Sequence, residues 1–271
     1  MQAHTFSRFV YFDTNILSHF AKNKQLWSKL SEFLTENDLT LAVSVQVAEL
    51  SDAKSLHQSL TELFVSVPSA LVKSWDVILN EEVKAHPEKR TETLLTYPLN
   101  AIIFDGVQKL RDFFSSKNLR DARKDQLENA QQYAKRHTDL KGNFPPSKTG
   151  KYTREQADEF AWIQVMQWLG DTHRDFLASF QNNIKNFRPE VFLSVRLFAH
   201  LIFYKYYLGR REPNKISDFG DLSHLFLIPY CDLAIMERDL CNVLNQIKRH
   251  QDTLASTIVR DIDFVKTWGR H

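Results

Sequence analysis

The sequence predicts an α/β fold: a small parallel sheet flanked by helices, with a large helical insertion between its second and third strands. Three observations predict it. Short apolar runs alternate with helical periodicity at both ends of the chain. The middle, from about Glu49 to Lys215, reads almost wholly as helix. The acids Asp13 and Glu237 fall just past apolar runs, where a strand hands over to a helix. The 271 residues suit one domain spanning 1–271, with 65–214 as the insertion.

The elements follow in order. Phe9-Val-Tyr-Phe12 is a short aromatic and apolar run that reads as a buried strand. Asp13-Thr14-Asn15 then offers three N-cap residues. Ile16, Leu17, Phe20, Leu26, Leu30 and Phe33 predict one helix to about Leu34. Leu39 to Val43 is the second strand, and Ser44 can cap a helix that carries Glu49. Helical stripes follow around Leu50–Leu63, Trp75–Leu79, Ile102–Phe114, Trp162–Leu169 and Val191–Leu208. Breaks fall at His86-Pro87 and in the Gly142–Gly150 loop. Asp218 to Ile228 is short and apolar-periodic, Leu233–Met236 is strand-like, Leu240–Ile247 is helical, and Ser256–Val259 is the last expected strand.

Composition excludes several classes. With 7 Gly and no Gly-rich phosphate loop, a nucleotide cradle of that type is not expected. Cys231 and Cys241 form no Cys-x-x-Cys, so neither a disulfide framework nor a zinc finger is expected. Such sparse cysteines suit a reducing cytoplasm, and the N-terminal residues carry no signal-peptide pattern. Arg196, His200 and Lys205 interrupt the most apolar stretch, which argues against a membrane span.

The carboxylates carry the chemistry. Asp13 and Glu237 share a strand-exit position, and Glu49 sits on the first turns after the second strand. Asp218, Asp221 and His224 recur every three residues, near one helix face, and Asp232 precedes the third strand. Each alone reads equally as a cap or a solvated charge. Four carboxylates at one sheet edge would repel one another, a cost that a divalent cation removes. Hard oxygen ligands suit Mg2+ or Mn2+, and such ions can drive phosphodiester cleavage.

These residues resemble the PIN-domain nuclease family, which includes the ribonucleases of toxin–antitoxin pairs. An apolar strand running into Asp13-Thr14-Asn15, then Glu49, then Asp221 opening a short apolar helix, then an acid at the exit of a strand, Glu237, follow the family's order. Glu237 stands where Asp is usual, and Met236 where Thr or Ser is usual. The stretch Asp218-x-x-Asp221-x-x-His224 with Pro229-Tyr230-x-Asp232 resembles a bacterial branch with an enlarged helical region. The resemblance covers about 8–55 and 215–262 and not the helical middle.

It implies a metal-dependent endoribonuclease in which Asp13, Glu49, Asp221 and Glu237 hold Mg2+ or Mn2+. Asn15, Ser44, Asp218, His224 and Asp232 would support that site. It further implies a tRNA or mRNA substrate, a toxin or antiphage role, an antitoxin or other regulatory partner, and a homodimer, with no membrane association. A non-catalytic RNA-binding or assembly module of the same fold is the alternative. A haloacid-dehalogenase-type phosphatase also begins with a strand ending in Asp. That chemistry needs a second acid two residues on, where Asn15 stands.

For substrate, Arg210, Arg211, Lys215 and Arg238 lie near the acids in sequence. Residues 109–154 hold twelve Lys/Arg against five Asp/Glu, with Tyr133, Phe144 and Tyr152 interleaved. Such a patch suits phosphate contacts and base stacking, or a solvated hairpin. The five tryptophans read as core.

Overall fold

The computed structural model describes residues 8–44, 54–99, 107–119, 144–209 and 224–268, with isolated positions at 121, 124, 125, 128, 131, 132, 135, 219 and 222. In chain order the main elements are β1 (Phe9–Phe12), α1 (Thr14–Lys22), α2 (Trp27–Glu36), β2 (Thr40–Val43), α3 (Lys54–Ser66), β3 (Ser69–Val72), α4 (Trp75–Ala85), β4 (Leu95–Pro98), α5 (Val107–Phe114), α6 (Gln156–Thr172), α7 (Arg174–Ala178), α8 (Leu193–Ile202), β5 (Leu233–Met236), α9 (Arg238–His250) and β6 (Ile258–Asp261). A 3-10 helix, His224–Tyr230, leads into β5, and another, Ile262–Thr267, follows β6.

The sheet runs β4-β3-β2-β1-β5-β6. β3, β2, β1, β5 and β6 are parallel, and β4 adds antiparallel to β3. The sheet is therefore mixed, mostly parallel and larger than expected. β3 and β4 fall inside 65–214, so that stretch is not purely helical and its first part extends the sheet. The reason they escape sequence reading is physical. β3 is buried along its whole length, so it shows no inside–outside alternation, and four residues are too few to display a period.

Alternate strand residues feed two cores. Tyr11, Ala42, Ala70, Ala234 and Met236 face one side, where α6, α8, α9 and the 3-10 helix before β5 pack. Val10, Phe12, Leu41, Val43, Leu71 and Ile235 face the other, covered by α1, α2, α3 and α5. On that face Trp268 lies flat on Phe33, with ring centroids 4.1 Å apart, and stacks near Phe20 and Phe12.

Two helices differ from expectation. The first is split at Asn23, whose side chain donates to His19 O at 2.7 Å and competes with the helical ladder. The chain restarts as α2 after a 3-10 turn at Lys24–Leu26. Val191–Leu208 becomes α8 followed by a π-helical segment, Phe203–Leu208. Gly209 ends it, where a Cβ would lie 2.6 Å from Lys205 O, so only glycine fits that approach. All ten residues of α8 are buried. Among the described residues no single helix is long and apolar enough to cross a membrane.

Candidate active site

Two strand-to-helix corners form the candidate site. β1 ends at Phe12, and the Asp13 N–H still donates to Ile235 O at 3.0 Å, so the ladder holds Asp13 beside β5. Thr14 then opens α1, whose Ile16, Leu17, Phe20 and Ala21 are buried and anchor the corner. Likewise β5 ends at Met236, Glu237 keeps an extended backbone, and α9 begins at Arg238. Phe12 pairs with Ile235, so both corners open at the carboxyl edge of adjacent parallel strands.

Both acids occupy N-cap positions, yet neither carboxylate caps its helix. The Thr14 hydroxyl donates to Asp13 Oδ1 at 3.2 Å. Asn15 Nδ2 donates to Glu237 Oε1 at 2.7 Å, tying the two corners together across 222 positions of sequence. Asp13 is half-buried and Glu237 exposed. Ser44 follows β2 directly and is buried. Extending the β1–β2 register by two residues places Ser44 beside Asp13. The structure thus brings Asp13, Asn15, Ser44 and Glu237 to one edge. Glu49, Asp218, Asp221, Arg210, Arg211 and Lys215 lie outside the described residues, as does most of the basic stretch between 120 and 143.

Asp232 is a correction. It sits before β5, at the amino edge, where it accepts the Phe9 N–H at 3.0 Å and Arg8 Nε at 3.2 Å. It anchors the start of β1 at the end of the sheet opposite Asp13 and does not support that site. His224 heads the 3-10 helix before β5 and is buried.

Arg238 reaches from the first turn of α9 to the acids at and just past the end of β6. Its guanidinium is held by Asp263, with Asp261 at 3.9 Å. Asp261 ends β6 opposite Met236 and so adds an acid to the same edge. Sequence reading ended the last strand two residues early and missed it. Asp261 is a true cap, since its Oδ1 accepts the Asp263 N–H at 3.0 Å.

The aromatics of the basic stretch also need correcting. Phe144 is buried, and Tyr152 packs against Phe203 and Tyr207 while donating its hydroxyl to Phe144 O at 2.8 Å. Phe144 is therefore a core residue, and Tyr152 is half-buried against the core. Of the five tryptophans, Trp162 departs from the expectation of core and is 42% exposed.

Two polar clusters lie away from the edge. Glu82 on α4 is fully buried and accepts the Ser194 N–H at 2.8 Å, the Ser194 hydroxyl at 2.6 Å and the Tyr230 hydroxyl. Burial pushes its carboxyl up to about 7 against the pull of those donors. Arg90 lies over the Tyr230 ring at 4.7 Å and bonds Glu81 at 2.7 Å. The second cluster is an Asp–His–Thr chain. His200 Nδ1 meets Thr253 Oγ1 at 3.0 Å, and its Nε2 lies 3.3 Å from Asp158 Oδ1. Thr253 is 2% exposed and His200 0%, so the hydroxyl cannot reach a substrate and the chain is structural.

Among the described residues no group of three or more His, Cys, Asp or Glu side chains is placed to hold a metal ion. The donors at the edge are the carboxylates of Asp13, Glu237 and Asp261, the hydroxyls of Thr14 and Ser44 and the amide oxygen of Asn15, hard ligands of the kind that suit magnesium or manganese. No family model matches the chain, and no curated protein or solved structure matches it either.

Proposed function

We propose that the chain is a PIN-like, divalent-metal-dependent ribonuclease, with Asp13, Glu49, Asp221 and Glu237 as its metal-holding acids. The observation that carries the reading is the pair of uncapped carboxylates at neighbouring strand exits. Asp13 and Glu237 stand where a cap would normally satisfy a helix, and both leave that role unfilled. These acids would hold Mg2+ or Mn2+, which would supply Lewis-acid chemistry for the phosphodiester and for an attacking water. The chain's own residues then position and orient. Thr14 orients Asp13, and Asn15 orients Glu237. The N-termini of α1 and α9 point their partial positive charge at the same edge, which favours an anionic phosphate. Asn15 has no acid–base capacity, which disfavours phosphatase chemistry of the haloacid-dehalogenase type.

The proposal extends to an RNA substrate, tRNA or mRNA, and to a toxin or antiphage role with a regulatory partner, all on the family resemblance. The test is a panel of tRNA, mRNA and single-stranded DNA incubated with manganese, magnesium or EDTA, beside Asp13→Asn. RNA cleavage that needs the metal and vanishes in the variant, with little change in melting temperature, is the expected result. Cleavage that survives Asp13→Asn overturns the assignment. RNA binding without any cleavage moves the reading to a non-catalytic module.

A further inference from the structure

A cavity of about 440 Å³ opens far from the candidate active site. It is lined by Asp158 and Trp162 of α6, Glu190, Arg196 of α8, His250 at the end of α9, and Asp252. α9 starts next to Glu237 and rises about 18 Å to His250. The cavity therefore stands toward the amino edge of the sheet. Its size is within the range of small-ligand pockets.

The charges are sorted by depth. Arg196 is sunk, with its side chain 10% exposed. Its NH1 donates to Asp252 Oδ1 at 2.9 Å and Glu190 O at 3.2 Å, and its NH2 to Asp158 Oδ1 at 3.3 Å. The guanidinium is thus spent within the wall and is not presented to an anion. The acids stay toward solvent, with side chains 59% exposed at Asp158, 55% at Asp252 and 45% at Glu190. Glu190 also lies 3.4 Å from the exposed Arg188 guanidinium, so three carboxylates stand against two guanidinium groups. The Gln251 amide, with its NH2 toward Asp158, donates at 2.7 and 2.9 Å and braces that carboxylate. Beside them Trp162 is 42% exposed, on a helix whose Phe160, Ala161 and Val165 are buried.

We propose that this cavity binds an organic cation, a guanidinium or a primary ammonium group, stacked on Trp162 and neutralised by Glu190, Asp158 and Asp252. An exposed aromatic face beside an excess of carboxylates is the arrangement that recognises such groups. Two sources share this chemistry, a basic side chain of a protein partner and a free polyamine. The site is independent of the nuclease reading.

The experiment follows the five indole N–H cross-peaks of the ¹⁵N-labelled full chain, the Trp162 peak being assigned by its loss in Trp162→Leu. N-acetylarginine amide shifts the Trp162 peak saturably, and its uncharged citrulline counterpart does not. Glu190→Gln weakens the binding about two- to fivefold while the other four indoles stay in place. Calorimetry on Trp162→Leu shows a loss of about the same size. Spermidine titrated alongside separates the sources: tighter binding than the arginine derivative indicates a free polyamine, and weaker binding indicates a partner's side chain. An equal shift with the citrulline compound, a shift with inorganic phosphate, or no saturable shift at concentrations on the order of 10 mM overturns the proposal.

Discussion

Glu82 offers the sharpest quantitative prediction. Its carboxyl is fully buried between α4, the first turn of α8 and Tyr230. Burial raises it from 4.5 to about 7 in the folded chain, whereas the unfolded chain keeps the ordinary value. Between those two pH values the folded state holds a proton that the unfolded state has lost. Stability therefore falls as pH rises through that window and levels off above it. The difference amounts to about 3 kcal/mol in all.

In Glu82→Gln the titration is gone. The amide oxygen can still accept from the Ser194 N–H and the Tyr230 hydroxyl, both of which bond Oε1, and its NH2 can donate to the Ser194 hydroxyl oxygen. Burial keeps the Tyr230 hydroxyl protonated. Arg90 and Glu81, the nearby charges, are unchanged. Urea unfolding followed by circular dichroism, at several pH values from about 4.5 to about 8, measures the difference between the two proteins. The wild type is expected to lose about 3 kcal/mol relative to Glu82→Gln across that range. A stability difference that does not change with pH would refute the claim that Glu82 is buried as a protonated acid.

The remaining predictions test the fold around the site. Asp232→Ala leaves the Phe9 N–H without its acceptor and should cost about 1–3 kcal/mol in urea unfolding. It should leave metal-dependent RNA cleavage intact, because Asp232 belongs to the amino edge; loss of cleavage at unchanged stability would contradict that placement. Trp268→Ala removes the ring stacked on Phe33 and should cost about 3 kcal/mol, read as a lower urea midpoint. Trp268→Phe should recover most of that loss, since the flat contact with Phe33 can persist.

The legible part of the site was its pair of corners. An apolar run followed by an acid and a helical pattern is a local signal, and it located Asp13 and Glu237 at strand exits. What that signal lacks is the state of the side chain. Asp13, Glu237 and Asp261 all end parallel strands, yet Asp261 caps the following turn while the other two do not. The choice depends on neighbours brought by the fold, such as Asn15 reaching Glu237. Asp232 looked like a member of the same group because it is close in sequence to Glu237. A four-residue strand lies between them and sends them to opposite edges.

The sequence by itself determined the α/β class, the positions of β1, β2 and β5, and the strand-exit acids, because each is written in a run of contiguous residues. Only the tertiary structure decided that the sheet has β3 and β4 as further strands, since the buried β3 carries no alternation and the four residues of the edge strand β4 are too few to show a period. It alone decided that Glu82 is an interior acid, and that Arg196 lies beneath exposed carboxylates contributed by α6, the 3-10 turn before α8 and the turn after α9. Those arrangements join residues far apart in the chain. Burial and side-chain pairing arise only when the helices pack, so no local pattern encodes them.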